Sequence, residues 1–163
     1  MVCSRVGPSE VLLPPELASG RLARSFVDDN WCPVHGGDDH QLAHLLATEL
    51  VTNAVRYGGP PITLTMECRG REGVLLSVSD GSDDLPERMD VGPQALGGRG
   101  VRLVDLLSAD WGVEHRHVNG THVRAGNIEG PEPTDGRELT DGRELTEGEE
   151  LPRGKTVWCR LLT

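Results

Sequence analysis

Three short stretches of the chain hold residues that could do chemistry together. In the first, His40 to Gly58, a helical turn of about 100° per residue places Leu42, Leu46, Glu49, Asn53 and Tyr57 in one narrow stripe, flanked by Leu45 and Leu50. Glu49 and Asn53 are therefore expected to look inward. Burying an ionised carboxylate without a partner is costly, so a carboxylate and an amide at i, i+4 on such a face imply an occupant between them. A metal ion carried by a nucleotide suits that space. In the second stretch, the strand alternation of Val74, Leu76 and Val78 continues to Asp80, which Gly81 follows. A strand-end carboxylate there can accept a hydrogen bond from an exocyclic amine such as adenine carries, with Gly81 leaving room for the ring. It can equally cap the following turn. The third stretch, Gly97-Gly98-Arg99-Gly100, precedes a run with helical apolar spacing. Unpaired backbone N–H groups at a helix start attract anions, so Gly98 and Gly100 would let the chain wrap a triphosphate while Arg99 adds charge. A flexible turn before an ordinary helix explains the same glycines. Singly each signal is ambiguous, and their order, E-x-x-x-N, then D-G, then G-x-G, is far more specific.

The elements that must position these residues follow from periodicity. A short strand around Glu10 to Leu13 runs into Pro14-Pro15, and a helix follows to about Asp29, with Leu17, Leu22, Phe26 and Val27 available for packing. After the turn-rich Cys32 to Gly37, Asp38 and Gln41 resemble a capping box that opens the helix with the polar stripe. Gly58-Gly59-Pro60-Pro61 stops it. Ile62, Leu64, Met66 and Cys68 alternate in one strand, Gly70 to Gly73 makes a turn, and Val74 begins the next. Val101 to Ala109 has helical spacing through Leu103, Val104, Leu106 and Leu107; Trp111 and Val113, with His115 at its end, start another strand; Val157, Cys159 and Leu161 alternate in a last one. This order predicts an α+β domain, helices on one face of a mixed, mostly antiparallel sheet.

Composition narrows the class of function. The 163 residues suit one domain, here 10–163, and carry a formal net charge of -10. That balance argues against direct nucleic-acid binding, which draws on a basic surface. Residues 129–153 hold nine acidic and three basic side chains, leaving only -4 for the remainder. Within them a hexapeptide is written three times, TDGREL, TDGREL and TEGEEL, over Thr134 to Leu151. Leucine once in six cannot close a core, so an acidic low-complexity insertion is expected at about 116–153. Cys3, Cys32, Cys68 and Cys159 show no CxxC spacing, and are read as reduced core thiols. His40 and His44 at i, i+4, and His115, His117 and His122 around Asn119-Gly120, lack a further ligand at a recognisable spacing and are read as solvent-facing. With neither a signal peptide nor a membrane-length apolar run, a cytoplasmic location away from any membrane is expected.

The blocks ELVTNAVRYGG (Glu49 to Gly59), VSDGS (Val78 to Ser82), GGRGVRLVDLLSADWGV (Gly97 to Val113) and GKTVWCRL (Gly154 to Leu161) resemble the successive motifs of the small bacterial anti-sigma-factor serine/threonine kinases. These belong to the histidine-kinase-like (GHKL) ATPase superfamily, shared with DNA gyrase, a heat-shock chaperone and a mismatch-repair protein. The resemblance covers residues 10–114 and 154–162. It implies a two-layer sandwich of the Bergerat ATP-binding type and ATP with Mg²⁺ as ligands. Asn53 would hold the metal through its side-chain oxygen. Glu49 would be the general base, Asp80 with Gly81 the adenine site, and Gly98, Arg99 and Gly100 the phosphate contacts beneath a lid. The implied partners are a sigma factor, a STAS-type anti-anti-sigma protein that is phosphorylated on serine, and a second copy in a homodimer. A regulator of the same fold without catalysis, gated by nucleotide or free of it, is the alternative. Two features depart from the family: Ser82-Asp83-Asp84-Leu85-Pro86 stands where a further glycine is usual, and about forty residues separate Val113 from Gly154.

Overall fold

The computed structural model describes residues 7–82, 99–115, 124–125 and 154–162. Strand β1 (Ser9–Leu13) leads to helices α1 (Ser19–Asn30) and α2 (Gly37–Asn53), and α2 runs into a π-helical turn, Ala54–Gly58. Strands β2 (Ile62–Cys68) and β3 (Val74–Asp80) form a hairpin around a 3₁₀ turn at Gly70–Glu72. Helix α3 (Arg99–Leu107), β4 (Asp110–His115), the two-residue β5 (Arg124–Ala125) and β6 (Lys155–Leu161) complete the order. The repeats and most of the acidic segment lie outside the described residues, whereas Arg124–Ala125 pairs with Val113 and Glu114 at the sheet edge.

The architecture is α+β, with the sheet order β1-β2-β3-β6-β4-β5. A mixed sheet is expected from the sequence, but every ladder among the described residues is antiparallel. The reason lies in the connections. Two helices between β1 and β2 return the chain in the reversed sense, where one would have brought it back parallel. A single helix does join β3 to β4, which run in the same sense, but β6 inserts between them and is antiparallel to both.

Register puts Leu64, Val78, Val157 and Val113 in one row across the sheet, with Met66, Leu76, Cys159 and Trp111 in the next. This face shares a single core with Ala23 and Val27 of α1, Ala43, Leu46, Ala47, Leu50 and Val51 of α2, and Val104 of α3. Full burial of each large aliphatic side chain contributes about 1.5–3 kcal/mol. No helix among the described residues is long and apolar enough to cross a membrane. Cys32, Cys68 and Cys159 are free thiols, and burial pushes the Cys159 thiol up to about 12.

Three local expectations need correction. Helix α1 buries Val27 and packs Phe26 against the core as expected, but its other buried residues are the small Ser19, Gly20 and Ala23, while Leu22 and, ahead of the helix, Leu17 are exposed. Close approach to α2 is the cause, since a Cβ on Gly20 would lie 3.2 Å from Thr48 Cγ2. Helix α2 starts at Gly37 with Gly36 as its N-cap and has no side-chain cap, so Asp38 and Gln41 form no capping box. Asp38 and Asp39 instead lie in the first turn, where negative charge complements the helix dipole. Finally, the polar stripe of α2 does not continue to Tyr57, which is 57% exposed. The π-helical turn, closed by Gly59 N–H donating to the Ala54 carbonyl at 2.9 Å, inserts an extra residue and rotates Tyr57 outward.

Candidate functional site

Alternation along β3 makes Asp80 the last inward residue of that strand, and Lys155 faces it as the first residue of β6. The two side chains form a buried ion pair, Lys155 Nζ to Asp80 Oδ1 at 3.0 Å, with exposures of 4% and 3%. The same Oδ1 accepts the backbone N–H of Ser82 at 2.9 Å, which closes the turn after β3. Lys155 also donates to the Ser82 carbonyl at 3.4 Å. Asp80 is thus inward, as the strand alternation predicts, and its Oδ1 caps the turn, the second of the two readings from sequence. Removing either member of such a pair leaves an uncompensated buried charge.

Glycines fit the chain around this pair. A Cβ on Gly58 would run into the Asp80 carboxylate, striking Cγ and Oδ2. A Cβ on Gly154 would meet the Asp80 carbonyl oxygen, and one on Gly81 would strike the carbonyl oxygen of Pro60. Gly81 N–H donates to the Gly59 carbonyl at 3.0 Å. The space over Gly81 is thus taken by the strap Gly58–Pro60, and backbone packing alone accounts for glycine at that position. The strap carries a cis peptide bond between Pro60 and Pro61.

Glu49 and Asn53 are half-buried at one edge of the helix face that holds Leu46, Leu50 and Ala54, not at its centre. Helix α1 packs on the other flank of α2, where Arg24 reaches Thr48 and His44 Nε2 lies 2.8 Å from Asp28 Oδ1. Among the described residues no side-chain hydrogen bond or ion pair engages Glu49 or Asn53. Their oxygens are hard, uncommitted donors, a set that suits Mg²⁺ better than a soft metal.

The strap joins the end of α2 to Asp80, so Asn53, Gly58, Asp80 and Gly81 belong to one end of the molecule. Arg99 and Gly100 open α3, which packs against α2, and Gly98 lies outside the described residues. Sequence reasoning missed Lys155. Its signal was there, because the inward alternation of Val157, Cys159 and Leu161 extends back to Lys155 as that of β3 extends to Asp80. No protein-family model matches the chain, and no curated protein matches it.

Proposed function

We propose that the protein binds ATP with Mg²⁺ at this end of the sheet and acts as an anti-sigma factor and serine/threonine protein kinase, holding a sigma factor and phosphorylating a STAS-type anti-anti-sigma protein. The observation that carries this reading is the strap contact. Gly58 lies against the Asp80 carboxylate and Gly59 accepts from Gly81, so the chain that leaves the E-x-x-x-N helix passes directly over the D-G turn. In this reading Asn53 holds the metal through its amide oxygen. Glu49, one turn earlier, takes the proton of the attacking serine or threonine hydroxyl. Asp80 accepts the exocyclic amine of adenine through Oδ2, since Oδ1 is already engaged. Gly98, Arg99 and Gly100 contact the phosphates. Bound Mg²⁺ would neutralise charge developing on the transferred phosphoryl group.

One observation favours the second reading, a regulator of the same fold without catalysis. Asp80 Oδ1 is already held by Lys155 and the Ser82 N–H, so the carboxylate is satisfied without a nucleotide. Calorimetry with ATP and Mg²⁺ at millimolar concentration, followed by labelled ATP with a candidate anti-anti-sigma partner, separates the two. Heat of binding and label on the partner support the kinase. Binding without transfer leaves a nucleotide-gated regulator, and no heat with no thermal shift leaves a nucleotide-free one.

A further inference from the structure

At the opposite end of the sheet a second cluster gathers residues of a different chemical type. The connection between α1 and α2 carries Cys32-Pro33-Val34-His35, closed by His35 N–H donating to the Cys32 carbonyl at 3.1 Å. This turn lies against Cys68, the last residue of β2, whose Sγ is 3.0 Å from His35 Nε2. One ligand atom each from Cys32, His35 and Cys68 lies within 4.8 Å of the others. Cys32 and His35 are buried and Cys68 is half-buried.

We propose that Cys32, His35 and Cys68 form a site for Zn²⁺, with a water in the fourth position on the side of Cys68. Two thiolates and an imidazole are the donor set of a borderline-soft divalent ion, and neither hard Mg²⁺ nor Ca²⁺ competes for it. The dimensions agree. Tetrahedral zinc with Zn–S of about 2.3 Å and Zn–N of about 2.0–2.1 Å sets its ligand atoms roughly 3.5–3.8 Å apart. His35 and Cys68 need to part by only about half an ångström to reach that spacing. Binding replaces the two S–H protons by metal–sulfur bonds and releases them to solvent. The ion would tie the connection between the helices to the far end of β2. The ring of Trp31, stacked on His40 at 4.8 Å and edge-on to His35 at 5.9 Å, packs between this cluster and a second one of Asp28, His40 and His44. That second group lacks sulfur, which makes the two distinguishable.

The test uses the full chain, reduced and stripped of metal, titrated with Co²⁺ and then with Zn²⁺. One Co²⁺ per chain with a sulfur-to-cobalt charge-transfer band, displaced by Zn²⁺, is expected. Cys68→Ser and His35→Ala should each weaken Co²⁺ binding by about tenfold or more, while Asp28→Asn leaves the band intact. Absence of binding, or a Co²⁺ spectrum without sulfur character that Asp28→Asn abolishes, overturns the proposal. Should the variants fail to fold, the wild-type chain still decides: Zn²⁺ should protect Cys32 and Cys68 from alkylation, and equal labelling with and without Zn²⁺ refutes the site.

Discussion

The two ends of the sheet deal with polar side chains in opposite ways. At the Asp80 end, charge is compensated from within: Lys155 and the Ser82 N–H occupy one carboxylate oxygen, and three glycines let backbone close around it. At the Cys68 end, two thiols and an imidazole converge, with His35 Nε2 3.0 Å from Cys68 Sγ. Internal compensation makes the first end a structural joint whatever ligand it takes. The second offers soft ligand atoms that, on the proposal above, an ion from outside would join. Along β2 the ends are about 20 Å apart, so substitutions at one should add to those at the other within about 0.5 kcal/mol.

The largest effect should come from breaking the joint. Lys155→Met leaves Asp80 buried and unpaired and should cost about 3–5 kcal/mol in urea unfolding. Lys155→Met combined with Asp80→Leu should recover much of it, and a single-variant loss below about 1 kcal/mol would show that the pair behaves as an exposed one. Glu49→Gln comes next. It keeps the shape of the side chain but cannot take a proton, so partner phosphorylation should fall by about 10²-fold with ATP affinity little changed. Phosphorylation at the wild-type rate would remove Glu49 from that role. Gly58→Ala drives a methyl into the Asp80 carboxylate and should destabilise by about 1–3 kcal/mol, without altering metal binding at Cys68. The smallest effect belongs to neither end. Cys159 is raised from 9.0 to about 12 by burial, so the folded chain holds this proton more tightly than the unfolded one. Its contribution is complete below pH 9.0 and is lost as pH rises toward about 12. By pH 10 the loss is on the order of 1 kcal/mol, read as the difference in alkaline unfolding between wild type and Cys159→Ala.

Much of the fold was legible because apolar alternation fixes strands locally. Ile62, Leu64 and Met66, then Val74, Leu76 and Val78, take every second position, and the glycines at 70 and 73 mark the turn that joins the two strands. The same rule extended to Asp80 places it inward, and extended back from Val157 it does the same for Lys155. The face of α2 was misjudged for a different reason. A uniform 100° rotation does not anticipate the π-helical turn that carries Tyr57 outward, while Glu49 and Asn53 fall at the edge because Ala43, Ala47 and Val51, with Leu46 and Leu50, set the buried face. Cys32, His35 and Cys68 were invisible as a group because the third ligand is brought in by sheet topology, across a whole helix and half a hairpin. Arg124–Ala125, likewise, carries no local signal of the strand it forms; only its partner β4 defines it.

The position of β6 has a consequence for the order in which the molecule can assemble. It is the last strand in the chain but lies between β3 and β4 in the sheet. During synthesis β3 and β4 emerge with a strand-wide gap between them, and the partner that fills it arrives only after the acidic repeats have passed. Contacts that span so much sequence slow folding, and until they form, the edges of β3 and β4 are open to other strands. A nascent chain halted within the repeats would thus expose two unpaired edges and an unneutralised Asp80 at once. The high negative charge of that segment would then repel neighbouring copies at the stage when they are most prone to pair.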